Sequence, residues 1–393
     1  MGIFPISVRY LHQSIVVSSG ISDQRIDRYL RRLFPLVPLS HIHGSLRKGN
    51  ISLIRPAFPS DADPKVATAA ANDRVSEGYT MLVPEEWLAP KAAVDEVPSF
   101  SRSDEKVISD LKESIIYMDS DIIAFNKPAG LAVQGGSTLG MRHLDAYLPA
   151  FRFGMKETPR LVHRLDRDTS GVLVLARNHA TSVRLSSLFA GKSRAEESLR
   201  KKYWALCWGI PQPRRGRLRL PLLKIKDSLT GERRMTCVEQ MSPHAQTAVT
   251  EYEVMDSSLR DMSWIELLPI TGRQHQLRVH CAEGLNVPIV GDSKYGARAR
   301  GVKRHLHETE AEDDILRWMP DSNMLFLHAR SLFLPLWKAN DPQQSLAEGC
   351  GVEPGGLLLV APLPRHMLKA ASSLRPHLNF LDSEMNMLEK LAE

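Results

Sequence analysis

One unbroken apolar run stands out in the pattern of hydrophobic and polar positions along this chain. Residues 171–176 read GVLVLA, which is typical of a strand buried on both faces. A charged segment, His163 to Asp168, comes directly before it and ends in a Ser170-Gly171 turn. Charged loops held against a core strand often present catalytic side chains, so we take Asp166 as a candidate. The alternative is a surface turn whose arginines and aspartates only neutralise each other.

Short strand-like runs and short helices alternate through residues 113–375. Two apolar runs flank an Asp119-Ser120-Asp121 turn and predict a hairpin. The string WIELLPI at 264–270 alternates as a strand, and Thr271 is the expected N-cap of a helix that Gly284 ends. Regular βαβ repeats do not occur in this pattern. It therefore predicts an α+β domain with a mixed, mostly antiparallel central sheet and a catalytic cleft.

Residues 22–85 predict a small α/β domain that contains two basic helices. Apolar residues recur at helical spacing from Ile26 to Leu33, and a second helix is expected from Pro38 to Gly49. Basic side chains cover the first helix and the end of the second: Arg25, Arg28, Arg31, Arg32, Arg47 and Lys48. Such side chains either form a solvated face or follow the phosphates of a nucleic acid.

Three further segments lie outside these two domains. Residues 1–21 contain one arginine and no acidic residue, which is typical of a mitochondrial presequence, although their β-branched residues also fit a short strand. Residues 86–112 are rich in proline, alanine, serine and charge, and we expect a linker there. Residues 376–393 predict a C-terminal helix with one apolar face.

Composition narrows the class of protein without identifying it. The 393 residues are 43% hydrophobic and 24% charged, as in an ordinary globular protein. A net charge of +6 is compatible with a polyanionic partner. The four cysteines include no CxxC pair, so neither a zinc site nor a disulfide framework is indicated. No apolar run approaches the ~20 residues that a transmembrane helix needs.

Four strings, in the expected order, resemble motifs of the RluA-like family of ribosomal RNA pseudouridine synthases. They are FNKPAGLAV (125–133), HRLD (163–166), KKYWALCWG (201–209) and TGRQHQLRVH (271–280). The likeness extends over residues 115–370. Residues 22–85 resemble, more weakly, the S4-like RNA-binding domain that precedes the catalytic domain in many members of the family.

The resemblance implies the pseudouridine synthase fold and an enzyme that isomerises specific uridines in structured RNA without a cofactor or a metal. It implies three catalytic residues, of which Asp166 is the catalytic aspartate, Arg278 pairs with it and Tyr203 lies against the target base. Residues implied to border the substrate are Arg164, Arg167, Arg273, His275 and Lys127. Residues implied to bind RNA in the S4-like domain are Arg25, Arg28, Arg32, Arg47 and Lys48.

The expected partner is ribosomal RNA, above all that of the large subunit, ahead of tRNA. The RNA is expected either free or within a ribosomal subunit or an assembly intermediate. A mitochondrial location is favoured over a cytoplasmic one. One alternative function is a catalytically idle, synthase-like RNA-binding factor in ribosome assembly. An aspartic protease is a weaker alternative, because DTSG at 168–171 is the only string of that kind and such enzymes need two.

Overall fold

The computed structural model of this protein describes residues 12–18, 20–34, 37, 39–56, 66–87, 100–135, 143–191, 199–226, 231–258, 262–296, 324–337, 344–345 and 349–373. The chain divides into two compact units, Met1–Ser99 with Gln134–Ala146 and Phe100–Val133 with Tyr147–Glu393. The helix expected over residues 376–393 lies outside the described residues. Within those residues, no helix has both the length and the apolar character needed to cross a membrane.

The first unit combines two helices with short antiparallel strands. Its elements are β1 (His12–Val16), β2 (Gln24–Arg25), α1 (Ile26–Leu33), α2 (Leu39–Arg47), β3 (Ser52–Ile54), β4 (Val66–Thr68), β5 (Arg74–Val75) and β6 (Thr80–Pro84). Four strands form one sheet in the order β1-β6-β3-β4, and β2 pairs with β5. The apolar face of α1 is buried through Ile26, Tyr29 and Leu30, as its helical spacing predicts.

The second unit holds the remaining elements, apart from the short helix α4, which spans the boundary between the units in the chain. In order they are α3 (Arg102–Glu113), β7 (Ile115–Met118), β8 (Ile122–Lys127), α4 (Leu144–Tyr147), β9 (Arg160–Leu161), β10 (Ser170–Ala176), α5 (His179–Phe189), β11 (Arg200–Trp208), β12 (Arg215–Arg219), β13 (Leu222–Lys226), β14 (Arg233–Cys237), β15 (Val249–Ser258), β16 (Met262–Pro269), α6 (Gln276–Val279), β17 (Leu327–Pro335), β18 (Gln344–Ser345), β19 (Gly351–Glu353), β20 (Gly356–Val360) and α7 (Arg365–Ser373). A 3₁₀ turn, Leu148–Phe151, follows α4, and a π-helical turn, His280–Gly284, follows α6.

A sheet of 12 strands among the described residues organises this unit. Its main path is β12-β15-β16-β11-β17-β10-β8-β7-β18, and β9, β19 and β20 pair beside that path. Every described pairing is antiparallel except the parallel pair of β10 and β17. The mixed, mostly antiparallel sheet predicted from the sequence is confirmed, and with it the α+β class.

Strand β10 lies in the interior of the sheet. All seven of its residues are buried, as the apolar run at 171–176 predicts. Gly171 stands opposite Lys127 of β8 on one side and Ala329 of β17 on the other. Its φ is +111°, and a Cβ at this position would collide with the backbone carbonyl oxygen of Ala329. Only glycine fits here, because both the backbone angle and the close approach exclude a side chain.

The structure corrects two expectations about local elements and decides a third. The linker expected over residues 86–112 contains α3, whose N-terminus is closed by a capping box between Ser101 and Asp104. The helix expected from Thr271 begins only at Gln276, because the Thr271 hydroxyl binds the side chain of Gln276 instead of capping a first turn. Residues 1–21 contain the short strand that their β-branched residues fit, since β1 pairs with β6.

Candidate active site

The loop between β9 and β10 carries Asp166, whose side chain is 21% exposed. A backbone hydrogen bond of 3.2 Å from Thr169 N–H to the Asp166 carbonyl closes the turn. At the start of the loop, Nε2 of His163 accepts a 2.9 Å hydrogen bond from the backbone N–H of Val174. Burial lowers the pKa of His163 to about 3, so the ring stays neutral and able to accept this bond. The loop is thereby tied to the buried strand that follows it.

Lys127 holds the same loop from beneath. Its side chain is fully buried, and Nζ donates hydrogen bonds of 2.7, 2.9 and 3.0 Å to the carbonyls of Pro128, Leu131 and Arg167. The Arg167 carbonyl also accepts a 2.9 Å bond from Gly130 N–H. Burial lowers the pKa of Lys127 to about 7. Lys127 therefore lies under the loop, away from the solvent that a substrate would displace.

Arg278 stands on α6 and faces two carboxylates. Its Nη1 lies 3.8 Å from Asp166 Oδ2, so the expected ion pair is present, but its shorter bonds go elsewhere. Nε and Nη2 donate to the two oxygens of Asp292 at 2.8 and 2.7 Å. This fork-to-fork geometry fixes the plane of the guanidinium, because two parallel bonds allow no rotation. Asp292 therefore orients the cation that faces Asp166.

His275 approaches Asp166 from the same segment of chain. It adopts the left-handed conformation, with φ of 53°, and its Nε2 lies 3.9 Å from Asp166 Oδ1. Nδ1 lies 2.8 Å from the hydroxyl of Tyr295, which also accepts a 3.1 Å bond from Met235 N–H. Burial lowers the pKa of His275, which favours a neutral ring. A neutral ring next to an anion is best placed with Nε2–H toward Asp166, so Nδ1 accepts the Tyr295 proton.

Tyr203 lies on β11, opposite Leu267 of β16 and Ala329 of β17. Burial raises the pKa of its hydroxyl, and the negative charge of Asp166 raises it further. The phenol is therefore neutral over the physiological pH range. A neutral phenol ring has a flat apolar face that can stack on another planar group.

The arginines expected to border the substrate occupy different surroundings. Arg164 is exposed, and the exposed Arg167 donates a 2.9 Å hydrogen bond to the carboxylate of its neighbour Asp168. Arg273 is exposed and donates through Nε to the Thr247 carbonyl at 3.0 Å. All three guanidinium groups retain N–H donors that can bind a phosphate.

In the first unit, the five basic residues predicted to bind RNA also differ. Arg25 makes two hydrogen bonds with the buried carboxylate of Asp27, at 2.7 and 3.1 Å. Arg28, Arg32, Arg47 and Lys48 are exposed. Four of the five side chains are thus open to an anionic partner, whereas the charge of Arg25 is largely neutralised within the chain.

Two residues of this site had no role assigned from the sequence. Asp292 and Tyr295 belong to the string VGDSKYG at 290–296, which resembles a family string, yet nothing in the string shows what they contact. The available signal was that Tyr295 follows Asp292 by three residues, because an aspartate carboxylate often accepts hydrogen bonds from the backbone N–H groups that follow it in a turn. Asp292 Oδ1 accepts from Lys294 N–H and Tyr295 N–H, both at 2.9 Å. Among the described residues, no group of three or more His, Cys, Asp or Glu side chains is arranged to hold a metal ion.

Comparison with known proteins gives consistent matches. The family model of RNA pseudouridylate synthase matches residues 121–283. RNA pseudouridine synthase 4, mitochondrial, of Arabidopsis thaliana is 36% identical over 312 residues, which cover 72% of this chain and 64% of that protein. Ribosomal large subunit pseudouridine synthase C of Rickettsia prowazekii (strain Madrid E) is 33% identical over 312 residues, covering 79% of this chain and 88% of that protein.

A solved structure is similar over most of its own length. Human RNA Pseudouridylate Synthase Domain Containing 4 aligns with a TM-score of 0.51 and 30% identity, covering 70% of this chain and 97% of that chain. The matched family model includes the loop of Asp166, the strand of Tyr203 and the helix of Arg278. This chain belongs to the family of RNA pseudouridine synthases.

Proposed function

We propose that this protein isomerises uridine to pseudouridine in RNA and that Asp166 is the catalytic carboxylate. One observation carries the proposal: Asp166 lies in the loop that His163 and Lys127 hold in place, with Arg278 at 3.8 Å and His275 at 3.9 Å. A cation and an N–H donor next to a partly exposed carboxylate hold it in one orientation toward a substrate. The family membership of the chain supports the same reaction.

The reaction needs no group from outside the substrate. The N1–C1′ bond of uridine breaks, the uracil turns and a C5–C1′ bond forms. C5 then gives up its proton and N1 takes one up, so the product is an isomer of uridine. The carboxylate of Asp166 either attacks the nucleoside or removes a proton from the sugar. Both routes need an ionised carboxylate, and both are served by Arg278 because its position is set by Asp292.

Tyr203 has a narrower role in this proposal. Its raised pKa makes the hydroxyl a poor proton acceptor near neutral pH. The ring instead supports the uracil by stacking after the nucleotide has left its helix, which every enzyme acting on a base within structured RNA must achieve. Arg164, Arg167 and Arg273 bind phosphates around the displaced nucleotide. Lys127 supports the Asp166 loop through the Arg167 carbonyl and does not contact the RNA.

The substrate that we propose is ribosomal RNA of the large subunit. The name of the Rickettsia relative states this substrate for that protein, and the name of the Arabidopsis relative states a mitochondrial location for that protein. We therefore also propose a mitochondrial location. Fluorescence microscopy of the chain with a C-terminal fusion tests the location, and a purely cytoplasmic signal would contradict it.

The first unit acts, in our proposal, as an S4-like anchor for RNA. Its exposed Arg28, Arg32, Arg47 and Lys48 make phosphate contacts and bring no catalytic group. Replacing these four by alanine should weaken binding of long structured RNA and lower the salt slope by about 0.7–0.9 per lost contact. Arg25→Ala is the matched control, because its guanidinium already binds Asp27, and it should change the slope least.

The decisive experiment compares two aspartates of one loop. Asp166→Asn keeps the shape and removes the charge, so pseudouridine formation should fall below detection while RNA affinity stays within about threefold. Asp168→Asn is the control, since its carboxylate is bound to Arg167. Pseudouridine is counted by chromatography of digested RNA. Wild-type turnover by Asp166→Asn would remove the assignment of Asp166, and an inactive wild type on every ribosomal RNA would favour the idle assembly factor.

A further inference from the structure

Lys201 and Lys202 are neighbours on β11 whose side chains lie on opposite sides of the sheet. Side chains alternate along a strand, so Lys201 shares one face with Tyr203, and Lys202 shares the other face with Trp204. Lys202 forms a 2.9 Å ion pair with Glu266, which also accepts a bond from the Trp204 indole. The charge of Lys202 is thus balanced within the protein.

The charge of Lys201 is not balanced by any described carboxylate. Within the part of the chain that the structure describes, its Nζ makes neither a hydrogen bond nor an ion pair, although the side chain is partly buried. Burial lowers its pKa, and no carboxylate counteracts this effect. The buried Lys127 differs, since three carbonyls accept its protons. A half-buried ammonium without an acceptor is unfavourable unless an anion completes the site.

The surroundings of Lys201 leave room for that anion. A Cβ built on Gly272 would lie 3.8 Å from Lys201 Nζ and would meet no other described atom within 4 Å. Gly272 belongs to the segment that leads from β16 to His275 and Arg278. Lys201 Nζ therefore lies beside the turn of residues 271–273, one same-face position along β11 from Tyr203.

We infer that Lys201 binds a phosphodiester group of the RNA next to the displaced nucleotide. This inference rests on the proposed function, because it takes Tyr203 as the support of the target base. A phosphate is the one anion that every RNA substrate presents beside its bases, and lysine binds it as a point charge on a flexible stem. The small Gly272 lets the phosphate reach Nζ, where a larger side chain would occupy the space.

The test compares Lys201→Met with Lys202→Met, which remove one charge each from neighbouring positions. Affinity for a stem-loop that contains a target uridine is measured as a function of salt. Lys201→Met should weaken binding about tenfold and lower the salt slope by about 0.7, the value for one contact on a single strand. Turnover at saturating RNA should change less than about twofold, because no reacting atom is touched. Lys202→Met should leave the slope unchanged.

A purely structural Lys201 would give a different result. Lys201→Met would then alter the melting temperature but not the salt slope, which would overturn the inference. A second measurement uses the wild-type protein with RNA in which each phosphate flanking the target is replaced in turn by a neutral methylphosphonate. One position should weaken binding about as much as Lys201→Met does, and Lys201→Met should bind that RNA with no further loss. No sensitive position would also overturn it.

These outcomes are separate from those of the proposed function. If the wild type binds the RNA and forms no pseudouridine, the proposed function fails whatever Lys201 does. If the wild type forms pseudouridine and Lys201→Met keeps the wild-type salt slope, only the phosphate site fails.

Discussion

Arg278 binds Asp292 more closely than it binds Asp166. The two bonds to Asp292 measure 2.7 and 2.8 Å, and the approach to Asp166 measures 3.8 Å. Asp292 is buried, with 1% of its side chain exposed, and it also binds two backbone N–H groups of its own turn. A carboxylate held by four donors is a rigid support. It leaves one edge of the Arg278 guanidinium directed at Asp166.

Asp292→Asn should therefore reduce both stability and activity. The amide cannot balance the buried guanidinium, and breaking a buried ion pair costs about 3–5 kcal/mol of unfolding free energy. Chemical denaturation measures this loss. Glu251→Gln is the control, because the pair of Arg217 and Glu251 at 3.7 Å is exposed and should contribute about 1 kcal/mol or less. Equal losses of unfolding free energy in both variants would show that Asp292 does not balance the charge of Arg278.

Tyr295→Phe should test whether the Tyr295 hydroxyl holds the His275 ring in place beside Asp166. The variant leaves Met235 N–H without its acceptor, at about 1–3 kcal/mol, and frees the His275 ring. A misplaced donor beside Asp166 should lower kcat about ten- to a hundredfold, with little change in KM. Tyr252→Phe is the control, since that hydroxyl donates to the Pro213 carbonyl at 3.0 Å. Tyr252→Phe should lower stability and leave kcat unchanged. An unchanged kcat in Tyr295→Phe would mean that the position of His275 does not depend on the Tyr295 hydroxyl.

Lys127 predicts a pH dependence of stability. Its pKa is about 7 in the folded protein, against about 10.4 in the unfolded chain. Between these values the unfolded chain binds more protons than the folded one. The stability contributed by Lys127 therefore rises with pH in this window and is lost as the pH falls toward about 7.

The difference in unfolding free energy between wild type and Lys127→Met measures this contribution. It should increase by up to about 1.4 kcal/mol per pH unit between pH ~7 and ~10. Lys106→Met, at an exposed position of α3, is the control and should show no such trend. A constant difference for Lys127→Met would mean that its three carbonyl acceptors hold the ammonium charged throughout.

Gly171→Ala should disrupt the pairing of β10 with β17. The alanine would suffer both a positive φ and a collision with the Ala329 backbone. Gly154→Ala is matched for the first effect alone, since its φ is +80° and no described atom lies within 4 Å of the added Cβ. Gly154→Ala should cost about 1 kcal/mol and Gly171→Ala several times as much, read from melting curves. Similar melting temperatures would show that β17 moves aside without penalty.

The sequence was sufficient where a structure depends on neighbouring residues. The β7–β8 hairpin forms because the Asp119 carboxylate binds the N–H groups of Asp121 and Ile122 at 2.8 and 2.7 Å. The run at 171–176 became a buried strand because it has no polar side chain to expose. Helix α3 was also predictable, since Ser101 and Asp104 spell a capping box and Ile108 and Leu111 share one face. We expected a linker there instead, because residues 86–112 are rich in proline, alanine, serine and charge.

Only the tertiary structure shows which residues hold the site residues in position. Lys127 binds the carbonyl of Arg167, 40 residues away, because β8 and β10 lie side by side. Asp292 meets Arg278 across the turn that ends at Gly284, and Tyr295 joins His275 to Met235 of β14. Periodicity and turn chemistry report only contacts within a few residues. The candidate carboxylate was thus visible in the sequence, whereas its partners followed from the order of the strands.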